Sequence, residues 1–167
     1  MLKPAAVLVP VVARAPAPTI LLTRRAAHLK DHSGQVSFPG GRVQADDASP
    51  EATALREARE EIGLDPGPVE VLGRMPEYLT RTGFRITPVV AIVTPPFDLR
   101  ADANEVEEIF EVPLAFLLDP ANRRRQSREW QGATRWFFEI PYQDHYIWGA
   151  TAGMLVNLSN QVSQGRL

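Results

Sequence analysis

Three glutamates at helical spacing are the residues of this chain whose arrangement best suits chemistry. Glu57, Glu60 and Glu61 lie at positions i, i+3 and i+4, so a helix would carry all three carboxylates on one face. Like charges this close on an exposed helix repel by about 0.2–0.5 kcal/mol per pair. A bound cation would offset that repulsion, and carboxylate oxygens are ligands that Mg²⁺ accepts. The alternative is a solvated acidic face whose charge is softened by Arg56 and Arg59.

The segment before these glutamates also favours a metal site. It reads Phe38-Pro39-Gly40-Gly41, and successive glycines let the backbone approach a ligand closely because no Cβ is in the way. A backbone carbonyl could join the carboxylates there, or a phosphate could come close. Magnesium sites of this kind keep waters and substrate phosphates in their shell, and such ions polarise phosphoryl oxygens. We therefore expect Mg²⁺- or Mn²⁺-dependent chemistry at a phosphoryl group.

The composition of the chain excludes several other chemistries. It has no cysteine and three histidines, which rules out disulfides, thiolate zinc sites, iron–sulfur clusters and cysteine nucleophiles. The net charge of −2 provides no overall field for nucleic acid or for an anionic membrane. No apolar run approaches the roughly 20 residues of a membrane span, and Pro10 interrupts the first one. We expect a cytoplasmic protein that binds neither nucleic acid nor membrane.

A capped helix over residues 49–62 is predicted to position the glutamates. Ser49 suits the N-cap, Pro50 suits the first helical position, and Gly63 suits the C-terminal stop. The apolar residues of this helix recur on the side opposite the glutamates, so that side should face the core: Leu55, Ala58 and Ile62.

The rest of the chain reads as short strands separated by proline-rich turns. A long ordered loop is predicted over residues 25–48, and Pro10 is expected at a sheet edge or a bulge. The predicted strands cover residues 5–12, 19–23, 69–73, 77–80, 84–94, 105–112 and 135–140. A helical turn at residues 114–118 and a C-terminal helix over residues 149–162 follow. We predict one domain, residues 1–167, of the α+β class, with a mixed sheet between helices.

Residues 40–64, GGRVQADDASPEATALREAREEIGL, resemble the Nudix box, the signature of hydrolases that cleave a nucleoside diphosphate linked to another group. The resemblance implies a Nudix fold and four metal-ligating groups: Glu57, Glu60, Glu61 and the Gly40 carbonyl. It also implies that Arg56 holds the carboxylates in place. The box usually has Glu where Asp47 stands, and here one additional residue separates Gly41 from Arg56.

An upstream motif narrows the resemblance. The motif of the coenzyme A pyrophosphatase branch is similar to a set of upstream residues: 21–26 (LLTRRA), Lys30, Gly34 and 38–41. The start of the C-terminal helix of that branch resembles residues 147–152 (IWGATA). This implies a small-molecule substrate, coenzyme A or a derivative, cleaved by water to 4′-phosphopantetheine and adenosine 3′,5′-bisphosphate. Two alternatives stay open: another nucleoside diphosphate derivative such as ADP-ribose, NADH or a nucleotide, and a module that binds nucleotide without turnover. A homodimer is left open as well.

Basic residues near the upstream motif suit a substrate with several phosphates: Arg24, Arg25, His28, Lys30 and Arg42. Substrate binding is assigned to four positions: Arg24, Arg25, Lys30 and Gly41. Exposure of the arginines at a strand end is the alternative.

A further carboxylate is expected from the downstream segment NEVEEIFEV, because Nudix enzymes often take a metal ligand or a catalytic base from this region. Glu105 is the first choice and Glu108 the second, with solvent exposure as the alternative.

Other conspicuous residues have simpler interpretations. The basic run 123–125 is expected to be a solvated loop rather than an RNA site, and His145 is expected to form a surface pair with Asp144. The large aromatic residues near the end of the chain are expected in the core: Trp130, Trp136, Phe137 and Phe138.

Overall fold

The computed structural model describes all 167 residues, which form eleven strands, three α-helices and one short 3₁₀ helix. The strands are β1 Lys3–Val12, β2 Thr19–Arg25, β3 Val36–Ser37, β4 Gly40–Arg42, β5 Val69–Arg74, β6 Tyr78–Leu79, β7 Phe84–Val93, β8 Val106–Pro113, β9 Arg124–Trp130, β10 Ala133–Tyr142 and β11 His145–Trp148. The helices are α1 Pro50–Ile62, α2 Leu114–Leu118 and α3 Gly149–Ser163, with the 3₁₀ helix at Pro120–Asn122.

Eight of the strands form a mixed sheet around β1. Strand β1 runs parallel to β7, in register from Lys3↔Phe84 to Val12↔Val93, whereas the other pairings in this sheet are antiparallel. The order is β3-β2-β1-β7-β5, with β4 paired to β1, β6 to β7 and β8 to β2. Strands β9, β10 and β11 form a separate antiparallel sheet.

Helices cover both faces of the main sheet. On one face, α1 buries Ala58 and Ile62 against residues of β1 and β7. On the other face, α3 buries Leu155 and Leu158 in a second core that includes Ile140 of the small sheet. The prediction of an α+β fold with a mixed sheet between helices is confirmed. None of the helices combines the length and the apolar character needed to span a bilayer.

The predicted caps of α1 are confirmed. The Ser49 hydroxyl accepts a hydrogen bond of 3.1 Å from the Ala52 N–H, and Pro50 opens the helix. Gly63 ends it in the left-handed conformation, with φ of 67°, which a residue without Cβ adopts at little cost. These local signals fix where the helix starts and stops, and therefore where Glu57 and Glu61 lie.

Pro10 lies inside the central strand β1, so the prediction of a sheet edge or bulge was wrong. On one side β1 pairs with β4 over residues 5–7 and with β2 over residues 11–12. The Leu8 N–H donates to the Pro39 carbonyl on this side, at 2.8 Å, and Pro10 faces the same way because backbone groups alternate along a strand. The missing N–H thus falls between the two paired stretches, where no ladder bond requires it.

The long loop predicted over residues 25–48 contains two short strands, β3 and β4. Strand β3 pairs with β2, Thr23 opposite Ser37, and β4 pairs Gly40 with Val7 of the central strand. Strands of two and three residues are too short to show a hydrophobic period, so the sequence could not reveal them. Their pairing anchors the glycine loop beside α1.

Two arginines of the basic run 123–125, predicted as a solvated loop, belong to strand β9, Arg124–Trp130, which forms a hairpin with β10. Gln131 and Gly132 join the two strands with φ values of 50° and 76°, the conformation of a two-residue hairpin turn. Trp130 and Trp136 are 56% and 52% exposed, so their predicted core positions were wrong. The hairpin extends beyond the core, and only its base, including Phe138, packs inward.

Candidate functional site

Three carboxylates meet at the C-terminal half of α1. Glu57, Glu61 and Glu105 each offer an oxygen, and these oxygens lie within 4.8 Å of one another. Glu57 and Glu61 are one helical turn apart, about 40° around the helix axis. Glu61 is buried and accepts a hydrogen bond of 3.4 Å from the Gly40 N–H.

Glu105 reaches the cluster because the segment before β8 is bonded to the end of α1. The Arg100 N–H donates to the Ile62 carbonyl and the Asp102 N–H donates to the Glu61 carbonyl, both at 2.8 Å. These bonds satisfy carbonyls that the helix end leaves without partners. The Glu105 N–H then bonds to the Asp102 carbonyl at 2.9 Å. The predicted downstream carboxylate is therefore brought beside the two helical ones.

Burial and repulsion make ionisation of Glu57 and Glu61 unfavourable without a counter-charge. Burial raises the pKa of Glu61 to about 8, and the charges of Glu57 and Glu105 add to the effect. Burial also raises the pKa of Glu57, although a hydrogen bond from Arg56 opposes this. Elevated carboxyl pKa values from desolvation and like charges mark a site that a cation would stabilise.

The two glycines of the loop are required by close packing. An added Cβ on Gly41 would lie 2.5 Å from a Glu57 carboxylate oxygen, and one on Gly40 would lie 2.5 Å from the Ala6 carbonyl. Neither position can therefore take a side chain without displacement of the cluster or of β1. The Gly40 N–H is bonded to Glu61, while ligation by its carbonyl and the assignment of Gly41 to substrate binding stay predictions.

Arg56 joins the helix to the loop before it. Its guanidinium forms two hydrogen bonds with Asp47, of 3.0 and 2.9 Å, and one with the Arg42 carbonyl, of 3.1 Å. It also donates to Glu57 at 3.0 Å and to Glu60 at 3.2 Å. Arg56 thus orients two carboxylates from the side, in the holding role that the resemblance implies.

Asp47 balances Arg56 from the loop. The Asp47 side chain is 5% exposed and also accepts hydrogen bonds from the Thr53 hydroxyl and the Gln44 N–H, of 2.9 and 2.8 Å. The hydrogen bonds from Arg56 hold the pKa of Asp47 well below its ordinary value. Asp47 therefore contacts Arg56 although its side chain is shorter than the glutamate usual in the Nudix box and although one additional residue separates Gly41 from Arg56.

Glu60 lies apart from the other two helical glutamates. Its side chain is 55% exposed and paired with Arg56, and the carboxylate cluster does not include it. Positions i+3 and i+4 differ by about 100° around a helix, so only Glu57 and Glu61 share the side that faces Glu105. Metal ligation by Glu60 stays a prediction, and it would require the side chain to turn away from Arg56.

The structure separates the two adjacent arginines of the upstream motif. The positive charge of Arg25 acts on Glu61 and lowers its pKa, and the buried Arg25 Nε has no hydrogen-bond partner. Arg24 is instead paired with Glu107 at 3.2 Å and with Glu108 at 3.0 Å. Of the two, Arg25 forms no ion pair, and the N–H of the next residue, Ala26, donates to the Glu105 carbonyl at 3.0 Å. Lys30 lies exposed in the following loop.

His145 lies 3.5 Å from Asp144 through its Nδ1, as predicted, but it is buried, so its predicted surface position was wrong. Its ring stacks on Phe110, with centroids 3.7 Å apart, and its Nε2 lies 3.1 Å from both oxygens of Glu108. Glu108 is thus shared by Arg24 and His145 and lies outside the carboxylate cluster. Strand β11 was not predicted from the sequence, although its alternation places His145 and Ile147 on the same, inward side.

Comparisons with known proteins agree with this arrangement. The NUDIX domain family matches residues 2–137. The uncharacterised Nudix hydrolase NudL of Salmonella paratyphi B is 45% identical over 168 residues, covering 96% of this chain and 83% of the relative. A C. elegans Ap4A hydrolase in a binary complex is similar in structure, with a TM-score of 0.57 and 19% identity over 66% of this chain and 80% of that one.

The NUDIX domain of Shewanella oneidensis NrtR, crystallised with ADP-ribose, also has a similar structure. Its TM-score is 0.53, with 21% identity over 71% of this chain and 77% of that chain. At such identities the two solved structures show a common fold and no more. The domain match and the similarity to NudL extend over most of the chain, which is therefore a member of the Nudix hydrolase family.

Proposed function

We propose that this Nudix hydrolase is a Mg²⁺- or Mn²⁺-dependent pyrophosphohydrolase whose substrate is coenzyme A or one of its derivatives. The observation that carries the chemical part is the cluster of Glu57, Glu61 and Glu105, which gathers three carboxylates against a glycine loop. The substrate assignment is supported by the resemblance of residues 21–26 to the coenzyme A pyrophosphatase motif and by the basic residues around it.

The residues of the cluster fit a hard divalent cation. All three ligands are carboxylate oxygens, the donors that Mg²⁺ and Mn²⁺ prefer, and neither Glu61 nor Glu105 forms an ion pair with a basic side chain. Nudix hydrolases generally use divalent metal ions. A divalent cation would compensate the excess negative charge of this cluster. When bound, such an ion would polarise the phosphoryl oxygens and favour ionisation of an attacking water.

The chain itself supplies positioning and proton transfer. Arg25, whose Nε has no hydrogen-bond partner and whose neighbour Ala26 donates its N–H to the Glu105 carbonyl at 3.0 Å, is assigned to a non-bridging oxygen of the pyrophosphate. Arg56 keeps Glu57 in place through its bonds to Asp47. Glu105, the exposed member of the cluster, is assigned to accept the proton of the water.

Hydrolysis then follows a direct course in this proposal. The water oxygen bonds to one phosphorus, the bridging P–O bond breaks, and the second phosphate leaves. The proton that the water loses passes to Glu105 and on to solvent. The products are 4′-phosphopantetheine and adenosine 3′,5′-bisphosphate, and no covalent enzyme intermediate is expected.

Turnover assays on a panel of substrates test this proposal. Purified protein is incubated with coenzyme A, acetyl-coenzyme A, ADP-ribose, NADH and Ap4A, each with Mg²⁺ or Mn²⁺, and the products are separated by chromatography. We expect the highest kcat/KM with coenzyme A or its acyl derivative. A preference for ADP-ribose would contradict the substrate while leaving the chemistry, and no turnover of any compound would favour the module that binds without catalysis.

Two further measurements refine the assay. In H₂¹⁸O, direct attack places one ¹⁸O atom in one product per turnover, and mass spectrometry shows which phosphorus was attacked. Dephospho-coenzyme A, which lacks the 3′-phosphate, serves as the matched substrate. An equal kcat/KM for coenzyme A and dephospho-coenzyme A would remove the reason for assigning additional basic residues such as Lys30 to substrate binding.

A further inference from the structure

A groove of about 360 Å³ lies where the two sheets meet edge to edge. One wall comes from the main sheet and its loop, with Arg24, Gln35 and Val36. The other comes from strand β11 of the small sheet, with Tyr146 and Trp148. The residues assigned to hydrolysis lie outside this groove and outside the small sheet.

The groove adjoins the carboxylate cluster through a single strand pair. The Gln35 carbonyl accepts from the Arg25 N–H at 2.9 Å, and the Gly34 N–H donates to the Arg25 carbonyl at 3.1 Å. The residue after Arg25, Ala26, donates its N–H to the carbonyl of Glu105, a member of the cluster, at 3.0 Å. Because neighbouring strands are about 4.8 Å apart, a nucleotide whose pyrophosphate lies at the cluster can extend its far end into the groove.

The charges of the groove favour a neutral group over a phosphate. Arg24 in its lining is already paired with Glu107 and Glu108, Asp144 adds a further carboxylate, and Arg128 lies over the Trp148 ring, 5.8 Å from its centroid. A phosphate placed there would compete with acidic partners already in position. A neutral ring that can form hydrogen bonds meets no such competition.

The aromatic wall is held rigidly by its neighbours. The Tyr146 and Trp148 rings are nearly parallel, 22° apart with centroids separated by 6.3 Å. The Tyr146 hydroxyl donates to Glu139, while the Trp148 ring meets Phe137 edge-on at 5.8 Å. Tyr146 is nevertheless 47% exposed, so an oriented ring is available for stacking without much loss of side-chain freedom.

We infer that this groove binds the purine base of the substrate, stacked on the Tyr146 ring beside Trp148. Ser33 and Gln35 line the same groove and supply a hydroxyl and an amide for the ring nitrogens. The inference rests on the proposed function for the position of the pyrophosphate, and it adds a subsite for the nucleobase. Aromatic stacking of a base tolerates different bases, so hydrogen bonds from the groove would provide the selectivity.

Nuclear magnetic resonance on the wild-type chain tests the inference without turnover. The chain has three tryptophans, so a ¹⁵N spectrum shows three indole N–H signals, assigned with single Trp→Phe variants. In EDTA, adenosine 5′-monophosphate should shift the Trp148 signal and leave those of Trp130 and Trp136 in place. Ribose 5-phosphate, which lacks the base, should not shift it. An unmoved Trp148 signal at millimolar nucleotide overturns the subsite.

Kinetics provide the second test. Tyr146→Ala should raise KM for coenzyme A roughly tenfold, since stacking on an aromatic side chain has about that effect per base, with kcat changed less than twofold. Tyr146→Phe keeps the ring and should recover most of the lost affinity. Trp136→Ala, an equally exposed aromatic on the opposite face of the small sheet, is the matched control and should leave KM unchanged.

The two proposals fail in different ways. Turnover of coenzyme A with no shift of Trp148 and no rise in KM for Tyr146→Ala would remove the purine subsite and leave the hydrolase. A shift of Trp148 without turnover of any substrate would keep the subsite and contradict the proposed function. A fall in kcat with unchanged KM for Tyr146→Ala would show that the ring acts on the cluster or the fold, and it would also overturn the subsite.

Discussion

Two groups of carboxylates around α1 differ in what balances their charge. Asp47 lies against Arg56 and accepts four hydrogen bonds, two of them from that guanidinium, and its pKa falls. Glu61 is buried, and burial together with the charges of Glu57 and Glu105 raises its pKa to about 8. Asp47 thus has an arginine partner on α1, whereas Glu61 of the same helix has no basic partner.

This difference indicates which region is scaffold and which is site. A buried charge is costly unless it is paired, so buried charges in folded proteins normally have a partner of opposite charge in the same chain. The Asp47–Arg56 pair follows that rule and stabilises the loop on the helix. Within the cluster, Glu61 and Glu105 have no basic partner and Glu57 has only Arg56, so the cation of the proposed function would supply the positive charge that the chain does not.

The largest effect is expected from Glu61→Gln. The substitution preserves shape and removes one charge from the cluster, so kcat/KM should fall by roughly 10²–10³, the size of effect seen when a preorganised electrostatic group is lost. Steady-state kinetics at saturating metal measures it. The metal-free variant should unfold at the same temperature as the wild type or higher at pH 8, because a buried charge is gone. Near-normal turnover would refute the ligand role.

Arg56→Lys should reduce activity by a smaller factor, about 10- to 100-fold, as expected when a group that orients metal ligands is altered. Lysine keeps the charge but lacks the planar fork that bonds Asp47 and Glu57 together. The melting temperature should also fall by several degrees. Arg59→Lys, on the same helix but 68% exposed, is the control, and an equal loss of activity in both variants would contradict the positioning role.

Glu60→Gln distinguishes the two regions directly, because Glu60 lies on the Arg56 side but is predicted from the sequence to bind metal. We expect a loss of about tenfold, less than for Glu61, since Glu60 must give up its bond with Arg56 to reach the cluster. Titration of activity against Mg²⁺ should show a raised half-saturating concentration. An unchanged metal requirement would remove Glu60 from the ligand set.

The smallest effect, and the one that compares both regions in a single experiment, is the pH dependence of stability without metal. For Glu61 the folded pKa of about 8 exceeds its ordinary 4.5, so the folded state binds more protons between these values and stability falls as pH rises through this window. For Asp47 the folded pKa is depressed, so its contribution is present above the ordinary value of 3.8 and is lost as pH falls.

Melting temperatures from pH 3 to 9 in EDTA should therefore decline on both sides of a maximum near pH 4–5. Excess Mg²⁺ should remove the decline on the alkaline side, because the ion binds the ionised cluster and compensates its charge. Glu61→Gln in EDTA is the control and should show a flatter alkaline side. A wild-type curve that stays flat from pH 5 to 8 without metal would argue against the uncompensated cluster.

Much of the fold and part of the site could be predicted without coordinates. The caps Ser49 and Gly63, the C-terminal helix and most long strands followed from local patterns, and these were found within a few residues. The predicted strand 135–140 lies within β10, but β9 was not predicted, because it has no buried residue and its alternation is hidden by arginines. Trp130 and Trp136 were placed in the core on size alone, which cannot tell whether a hairpin extends past it.

The sequence by itself determined the parts of the site that depend on neighbours along the chain. Helical geometry puts Glu57 and Glu61 on one side of the helix wherever the helix lies. The Gly40-Gly41 pair indicates that the backbone there approaches a neighbouring group closely. Only the tertiary structure decided which distant groups join them. Glu105 rather than Glu108 meets the cluster, and Arg24 rather than Arg25 is paired with the glutamates of β8. Those choices depend on strand pairing and on hydrogen bonds at the end of α1, which bring together residues that no local period relates.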